Sequence, residues 1–575
     1  MSDNERLNVV LCWHMHQPQY RDLISGTYAL PWTYLHAIKD YVDMAAIMEA
    51  IPEARAVVNF SPIMLEQLVD YTEQISGFLA RQEPLRDHLL AALVETPATL
   101  STEEYAALVH ACLRVNKDRL INRFPPYRRL AGLAARFSQE PETMVYLSEQ
   151  FLADLLVWYH LAWMGETVRL NDTRVQQLIA KGQGFTLEDR RLLIEIIGEL
   201  IASVIPRYRA LCLAGQIELS MTPHAHPILP LLISLDCAHD ALPQADLPLL
   251  PCYPGGEERA RWHIREGRRL FQHYFGIEPQ GCWPSEGGVS ATALKLLGED
   301  GFRWAASGEK VLHNSLVQGE QMDGLAHAQW LYQPYKVADT EIECFFRDDG
   351  LSDLIGFTYS SWHSDDAVSN LMHHLKNIDD ACTDKANRVV SIILDGENAW
   401  EYYPDNAYHF LTTLYKRLSG HKGLELTTFS AYLDKTEHSR TTTELKQMVA
   451  GSWVYGTFST WVGDPAKNRG WDMLCDAKRA FDIAADSGRL QADELRAATE
   501  QLAVCEGSDW FWWFGDYNPT EIVSDFEKLF RLHLSNLYHL LGQQAPAYLS
   551  LVMSHGSDDI SSAHSGTMRP SQHHA

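Results

Sequence analysis

The chain has 575 residues, too many for one ordinary core, so it holds two or three structural units or an α/β barrel enlarged by insertions. Its 48 basic against 75 acidic residues give a formal charge of -27, which repels nucleic acid and anionic membranes and leaves a neutral polymer indifferent. No stretch approaches the ~18 apolar residues of a membrane span, and ten cysteines scattered without a Cys-x-x-Cys pair read as reduced thiols, with no structural zinc site.

Met1-Ser-Asp-Asn-Glu-Arg carries acids where a secretion signal needs a basic segment, so the expected location is the cytoplasm. Leu7 to Gln17 reads as a first buried strand ending in the polar cluster His14, His16 and Gln17. Tyr34, Leu35, Ile38, Tyr41, Val42 and Ala45 repeat at helical spacing, and Ala56-Val57-Val58-Asn59-Phe60 supplies a second strand. From about 69 to 212 long amphipathic segments replace this alternation, which predicts a helical insertion.

The strand and helix rhythm resumes at Gln216-Ile217-Glu218-Leu219, with a helix over 257 to 275 and the segment Trp283 to Glu286. Further strands are expected at Phe302 to Ala306, Glu343 to Phe346 and Val389 to Leu394. In an open doubly wound sheet functional residues gather at one switch point, whereas polar clusters here follow at least five strands, which favours a parallel barrel. Beyond about 440 helices dominate: Asn518-Pro519-Thr520-Glu521 reads as N-cap, first-turn Pro and capping Glu before an apolar helical repeat. Residues 555 to 575 have almost nothing to bury and are expected to be disordered.

Glu286 and Asp395 each follow a strand-like segment, beside Trp283 and Trp400 and among glycines. Breaking a glycosidic bond with retention needs one carboxylate to attack and one carboxylic acid to protonate the leaving oxygen, roughly 5 to 5.5 Å apart, and this pair can supply both. A single loop acid is more often a helix cap or an Arg partner; the shared context is what sets these two apart. Glu397 can bind hydroxyls or raise the pKa of Asp395 through like charge.

His14 and His16, alternate residues at a strand end, can share a metal, and His224 and His226 repeat the spacing. A metal-dependent polysaccharide deacetylase is therefore an alternative, but no paired acid follows His16, and histidines that hydrogen-bond sugar hydroxyls fit better. A structural role for His224 and His226 is an equally good reading. Arg347 either orients a carboxylate or sits in an internal ion pair. The aromatic run from Trp510 to Phe514 reads mostly as core packing, with Asp509 beside it harder to explain that way.

Five ordered motifs then resemble glycoside hydrolase family 57, the retaining α-glucan enzymes. They are His14-Met-His16-Gln17-Pro18, Gly215-Gln-Ile-Glu218-Leu-Ser, Trp283-Pro-Ser-Glu286, Leu394-Asp395-Gly396-Glu397-Asn-Ala-Trp400, and the segment from Trp453 to Trp471. The resemblance implies a (β/α)7 barrel over 1–435 with the helical insertion, a C-terminal helical domain over 436–554 that completes the cleft, no cofactor, and an α-glucan substrate. It implies Glu286 as nucleophile, Asp395 as general acid/base, and sugar subsites lined by His14, His16, Glu218, Trp283, Arg347, Glu397, Trp453, Trp461 and Asp509. The Trp-Pro-Ser-Glu and Leu-Asp-Gly-Glu-Asn forms look most like the amylopullulanase and α-amylase group, with 4-α-glucanotransferases and branching enzymes as alternatives, although Gly456 to Trp461 has no acid before its Trp. A non-catalytic glucan-binding protein would keep the fold without both carboxylates. The sequence leaves oligomeric state, linkage preference and chain-length preference open.

Overall fold

The computed structural model describes residues 6–94, 101–137, 148–250, 252–382, 385–438, 440 and 442–557. Residues 558–575, most of the segment expected to be disordered, and residues 1–5 lie outside the described residues. In chain order the strands are β1 (Leu7–Met15), β2 (Ala56–Phe60), β3 (Ile217–Met221), β4 (Gly281–Cys282), β5 (Trp304–Gly308), β6 (Tyr335–Val337), β7 (Glu343–Arg347), β8 (Val389–Asp395), β9 (Leu424–Thr427) and β10 (Thr443–Leu445).

Every residue of β1 and of β8 is buried, as an apolar run requires when both faces of a parallel sheet are covered. β1, β2, β3, β4, β5, β7 and β8 pair in parallel in that order, and β8 pairs back onto β1, so seven strands close into a barrel. The ring is distorted where β9 pairs with Leu7 to Val10 of β1, leaving β2 to pair only with Cys12 to Met15. β6 lies antiparallel to β7 and carries β10 outside the ring. The sequence reading misses β6, β9 and β10: three- or four-residue strands contain too few apolar positions to show a period. β10 also falls in the stretch read as helical.

Alternate barrel residues point inward. Val10 and Cys12 of β1, Val57 of β2, Ala306 of β5, Phe345 of β7 and Ile393 of β8 share one buried cluster, whereas Val9, Leu11, Trp13 and Met15 belong to the larger core outside the ring. Phe429 of the helix Phe429–Thr436 fills the amino end, its ring 4.5 Å from Trp304 and 4.4 Å from Phe345. The next inward positions toward the carboxyl end are polar: His14, Asn59, Arg347 and Asp395. That is the end where parallel barrels place their chemistry.

Between β2 and β3 the chain runs through helices from Pro62–Arg81 to the 27-residue Leu187–Leu213, which is the expected insertion. At the C-terminal end the helices Pro465–Asp486, Ala492–Cys505, Asp509–Trp513 and Thr520–Leu540 pack on one another as a bundle. The last starts one residue later than the capping motif predicts: Asn518 turns its side-chain N–H groups to the carbonyls of Trp512 and Trp513, and its side-chain oxygen makes no capping hydrogen bond. All ten cysteines are free, and among the described residues no helix is long and apolar enough to cross a membrane.

One buried cluster ties bundle to barrel. Glu506, on the bundle side, accepts from Arg259 at 2.7 and 2.8 Å, from His263 at 2.7 Å and from Tyr253 at 2.6 Å. Burial opposes its charge, but Arg259 and the His263 hydrogen bond outweigh burial and hold the Glu506 carboxyl at about 2. Its contribution to stability is therefore present above the unfolded carboxyl's range and is lost as pH falls toward about 2. Glu506→Ala leaves Arg259 buried without its counter-ion and should destabilise the protein by about 3–5 kcal/mol, read from denaturant unfolding.

Candidate active site

The carboxyl end of the barrel opens into a cavity of about 310 Å³ lined by His14, His16, Glu286, Asp395, Glu397 and Asp509. Parallel register sets two of these positions: His14 is paired with Asp395 on β8 and, on its other side, with Asn59 on β2, so the three residues share a layer. Gly396 follows directly and donates its N–H to the His14 carbonyl at 2.7 Å. A Cβ there would collide with the Met15 sulfur, so this close approach requires glycine.

Asp395 is almost fully buried, and burial pushes its carboxyl up to about 6 despite the Asn398 amide at 3.0 Å and the opposing charges of His16 and Arg347. Glu397 is buried more deeply. Burial, then the adjacent Asp395, raises it well above the usual carboxylate range, although the His16 N–H and the Gln17 amide each donate to its Oε1 at 3.2 Å. Its Oε2 is buried without a hydrogen-bond partner.

Glu286 lies in a tight turn after β4 with φ 56° and ψ 28°, left-handed values that are rare for a residue with a side chain and that cluster at functional sites. Gly287 beside it has φ 58°, and a Cβ there would stand 2.9 Å from the Trp283 ring. The turn is held by Trp453, whose backbone N–H donates to the Glu286 carbonyl at 3.2 Å and whose indole N–H donates to its Oε2 at 2.9 Å. The Arg347 guanidinium stands 5.2 Å from the center of the Trp453 ring.

Three imidazoles stack at the mouth of the barrel. His16 and His226 have ring centroids 3.7 Å apart at 10°, and His14 lies 5.2 Å from His226. The hydrogen-bond network assigns the tautomers. Asn59 donates its amide to Ser220, so its oxygen accepts from His14 Nδ1 at 2.7 Å. His14 Nε2 is then an acceptor for His226 Nε2–H at 3.1 Å, and His226 Nδ1 accepts from the Ser508 hydroxyl at 2.8 Å. His16 donates through Nε2 to Asp509 at 2.8 Å, and its Nδ1 lies 2.7 Å from the Ser61 hydroxyl. Burial, reinforced by His16, drives His14 down to about 3 and His226 well below its ordinary value, so both are neutral.

His16, His226 and Asp509 bring ligand atoms within 4.8 Å of one another, close enough to hold a cation. The two Nε2 atoms already carry protons engaged with Asp509 and His14, so a cation would have to displace both. His224, read with His226 from the sequence, points away to Glu66 at 3.0 Å.

Other expected site residues stand back from the cavity. Glu218 faces the barrel interior at its amino end, where it accepts from the Trp304 indole at 2.7 Å and from the Ser430 hydroxyl and N–H. Trp283 is fully buried, edge-on to Trp453 at 5.1 Å. Trp461 is buried behind Trp512, 5.8 Å ring to ring. Arg347 sits in ion pairs with Asp349 at 2.6 Å and Asp353 at 2.8 Å and donates to the Ile393 carbonyl. Both readings of Arg347 thus hold, an internal ion pair whose charge also reaches Asp395.

Residues not foreseen also line the cavity: Trp32 and Trp163 from the helical parts, Tyr402 after β8, and Trp512 and Trp513 from the aromatic run read as core. No sequence signal separates a Trp that packs on one face from one that shows the other face to a cleft.

The family model for glycosyl hydrolase family 57 matches residues 10–446. No curated protein sequence is matched. Among solved structures the chain is similar to a branching enzyme from Thermococcus kodakaraensis at 14% identity, covering 93% of this chain and 90% of that one with a TM-score of 0.57. It is similar to an α-amylase from Thermotoga maritima at 12% identity, covering 95% and 96% with a TM-score of 0.53. A 4-α-glucanotransferase from Thermococcus litoralis matches at 13% identity over 93% of this chain and 60% of that one, with a TM-score of 0.50. At these identities the likeness is one of fold.

The tautomer assignment is open to measurement. In protein labelled at histidine nitrogen, His14 should show its proton on Nδ1 and His226 on Nε2, and His14 should stay neutral down to pH about 4; uptake of a proton by His14 near its ordinary value would contradict it.

Proposed function

The chain belongs to glycosyl hydrolase family 57, and we propose that it is a retaining enzyme of the α-amylase and amylopullulanase type, acting on α-1,4-glucans. The observation that carries the reading is that Glu286 from the β4 end and Asp395 from the β8 end, far apart in sequence, line one cavity. In the first step a Glu286 oxygen attacks the anomeric carbon while Asp395 gives its proton to the departing glycosidic oxygen. In the second, water gives a proton to Asp395 and attacks the anomeric carbon of the glucosyl-Glu286 ester, and the bond from that carbon to the Glu286 oxygen breaks, with Glu286 leaving as the carboxylate.

Each part of the geometry suits a role in that cycle. The indole N–H of Trp453 holds Glu286 Oε2 and so orients the carboxylate in the cavity. The raised Asp395 carboxyl is able to give and take a proton near neutrality. His14, His16, Glu397 and Asp509 line the cavity as hydrogen-bonding partners for sugar hydroxyls, and Trp283, Trp461 and Arg347 support the residues that touch sugar. A second reading is transfer to a sugar acceptor in place of water. It is favoured by the aromatic walls of Trp32, Trp163, Trp512 and Trp513, which offer faces for an acceptor ring.

Glu286→Gln and Asp395→Asn should each lower kcat by roughly three orders of magnitude or more without unfolding the protein, and near-normal turnover in either purified variant would overturn the assignment. Product sizing on soluble starch, pullulan and maltotetraose distinguishes hydrolysis, debranching and transfer. With the wild type, kcat/KM should fall about tenfold per pH unit above about 6, as Asp395 loses the proton needed for the first step. That limb should vanish in Asp395→Asn.

A further inference from the structure

Among the described residues, four aromatic side chains are strongly exposed: Phe357, Trp362, Tyr402 and Tyr517. Three of them lie on two neighbouring loops. Tyr402 ends the turn Asn398–Tyr402 after β8, Phe357 lies in the turn Leu354–Thr358 after β7, and Trp362 directly follows the turn Tyr359–Ser361. β7 and β8 are adjacent through Arg347 and Ser391, and the turn bearing Tyr402 packs against both of the others. Loops that leave the carboxyl ends of parallel strands share the face on which the cleft opens.

The arrangement is continuous with the cleft. Tyr402 is half exposed and lines the cavity that holds Glu286 and Asp395. Phe357 lines a second, more open cavity of about 770 Å³ together with Tyr332, Leu354, His374 and Asn377. Trp362, between them in the chain, is 41% exposed yet not loose. Its ring stands edge-on to Tyr359 at 5.5 Å, and Tyr359 is buried and anchored through its hydroxyl to Asn370 at 2.8 Å. Exposed aromatic rings on braced loops are costly to maintain in water and mark a surface that something apolar covers. A pyranose presents an apolar C–H face to such a ring and hydroxyls at its edge, where His374 and Asn377 offer partners.

We propose that Tyr402, Trp362 and Phe357 form a track along which an α-glucan chain runs from the cleft across the β7 and β8 loops to the second cavity, so that the substrate is a polymer longer than the cleft itself holds. The inference rests on the α-glucan reading of the cleft. An alternative occupant, a second copy of this chain, is an outcome of the test.

The double variant Phe357→Ala/Trp362→Ala removes the two rings that lie outside the cleft. Its half-saturating concentration of glycogen or soluble starch should rise about tenfold, and its retardation in a glycogen-containing native gel should be lost. Its kcat/KM on maltotetraose, too short to reach the track, should match the wild type. Trp362→Tyr, which keeps a ring, should retain most of the polymer affinity and guards against a trivial folding defect. Unchanged polymer saturation, or an equal loss on polymer and maltotetraose, overturns the track while the glucan reading stands. A wild-type dimer that becomes monomeric in the double variant, measured by light scattering, overturns it in favour of a second copy. A wild type that neither binds nor turns over any glucan overturns the underlying reading and the track with it.

Discussion

Closure of seven parallel strands is the constraint on which the rest depends. A ring that small has room inside only for side chains, and every second residue of each strand must point there. Val10, Cys12, Ala306, Phe345 and Ile393 fill that space from the amino end, which leaves the last inward position of each strand at the rim. Hydrogen-bond register then decides which residues meet: His14 is level with Asn59 on one side and Asp395 on the other. A slip of one residue in β8 would turn Asp395 outward and put Leu394 in its place.

The other half of the cleft is delivered by a very short piece of chain. Glu506 locks to Arg259 and His263, and the next residues dock on the loop after β3. Gly507 lies so close to the Ala225 carbonyl that a Cβ would stand 2.9 Å from it, and the Ser508 N–H donates to the His226 carbonyl at 2.9 Å. Asp509 reaches His16, and Trp512 and Trp513 follow as cleft wall. The receiving residues, Ala225 and His226, are themselves left-handed at φ 58° and 59°. Strain of that kind persists where surrounding bonds over-determine it, and here the bonds come from the bundle. The barrel mouth and the bundle therefore shape one another.

The strands and catalytic candidates were legible because their signals are local: an unbroken apolar run such as Val389 to Leu394, followed at once by acids, needs no partner to be noticed. Motif order added the family, and with it the closed ring. Glu218 shows where that legibility ends. It belongs to a recognisable motif and faces the barrel interior, but its height along the strand, level with Ser430 and Trp304, is set by pairing that one strand does not reveal. Trp461 and Trp283 fail the same way, one layer behind the wall. The histidine stack was half legible, since alternation placed His14 and His16 on one side, whereas His226 joins them only through the left-handed turn at Ala225 and His226.

On the proposed chemistry, Asp395 must hold a proton at one step and lack it at the next, and its surroundings divide that task. Glu397 is more deeply buried and faces the negative charges of Asp395 and Asp40, with only the His16 N–H and the Gln17 amide to offset them. Asp395 is relieved by the Asn398 amide and by His16 and Arg347, which leaves its carboxyl at about 6, where exchange with substrate and water is easy. Glu397 Oε2 is buried at the cleft wall without a protein hydrogen-bond partner, and is suited to bond a sugar hydroxyl. Burial thus raises both acids, two residues apart on one strand end, but their neighbours differ: the Asn398 amide, His16 and Arg347 oppose it at Asp395, whereas the charge of Asp395 adds to it at Glu397.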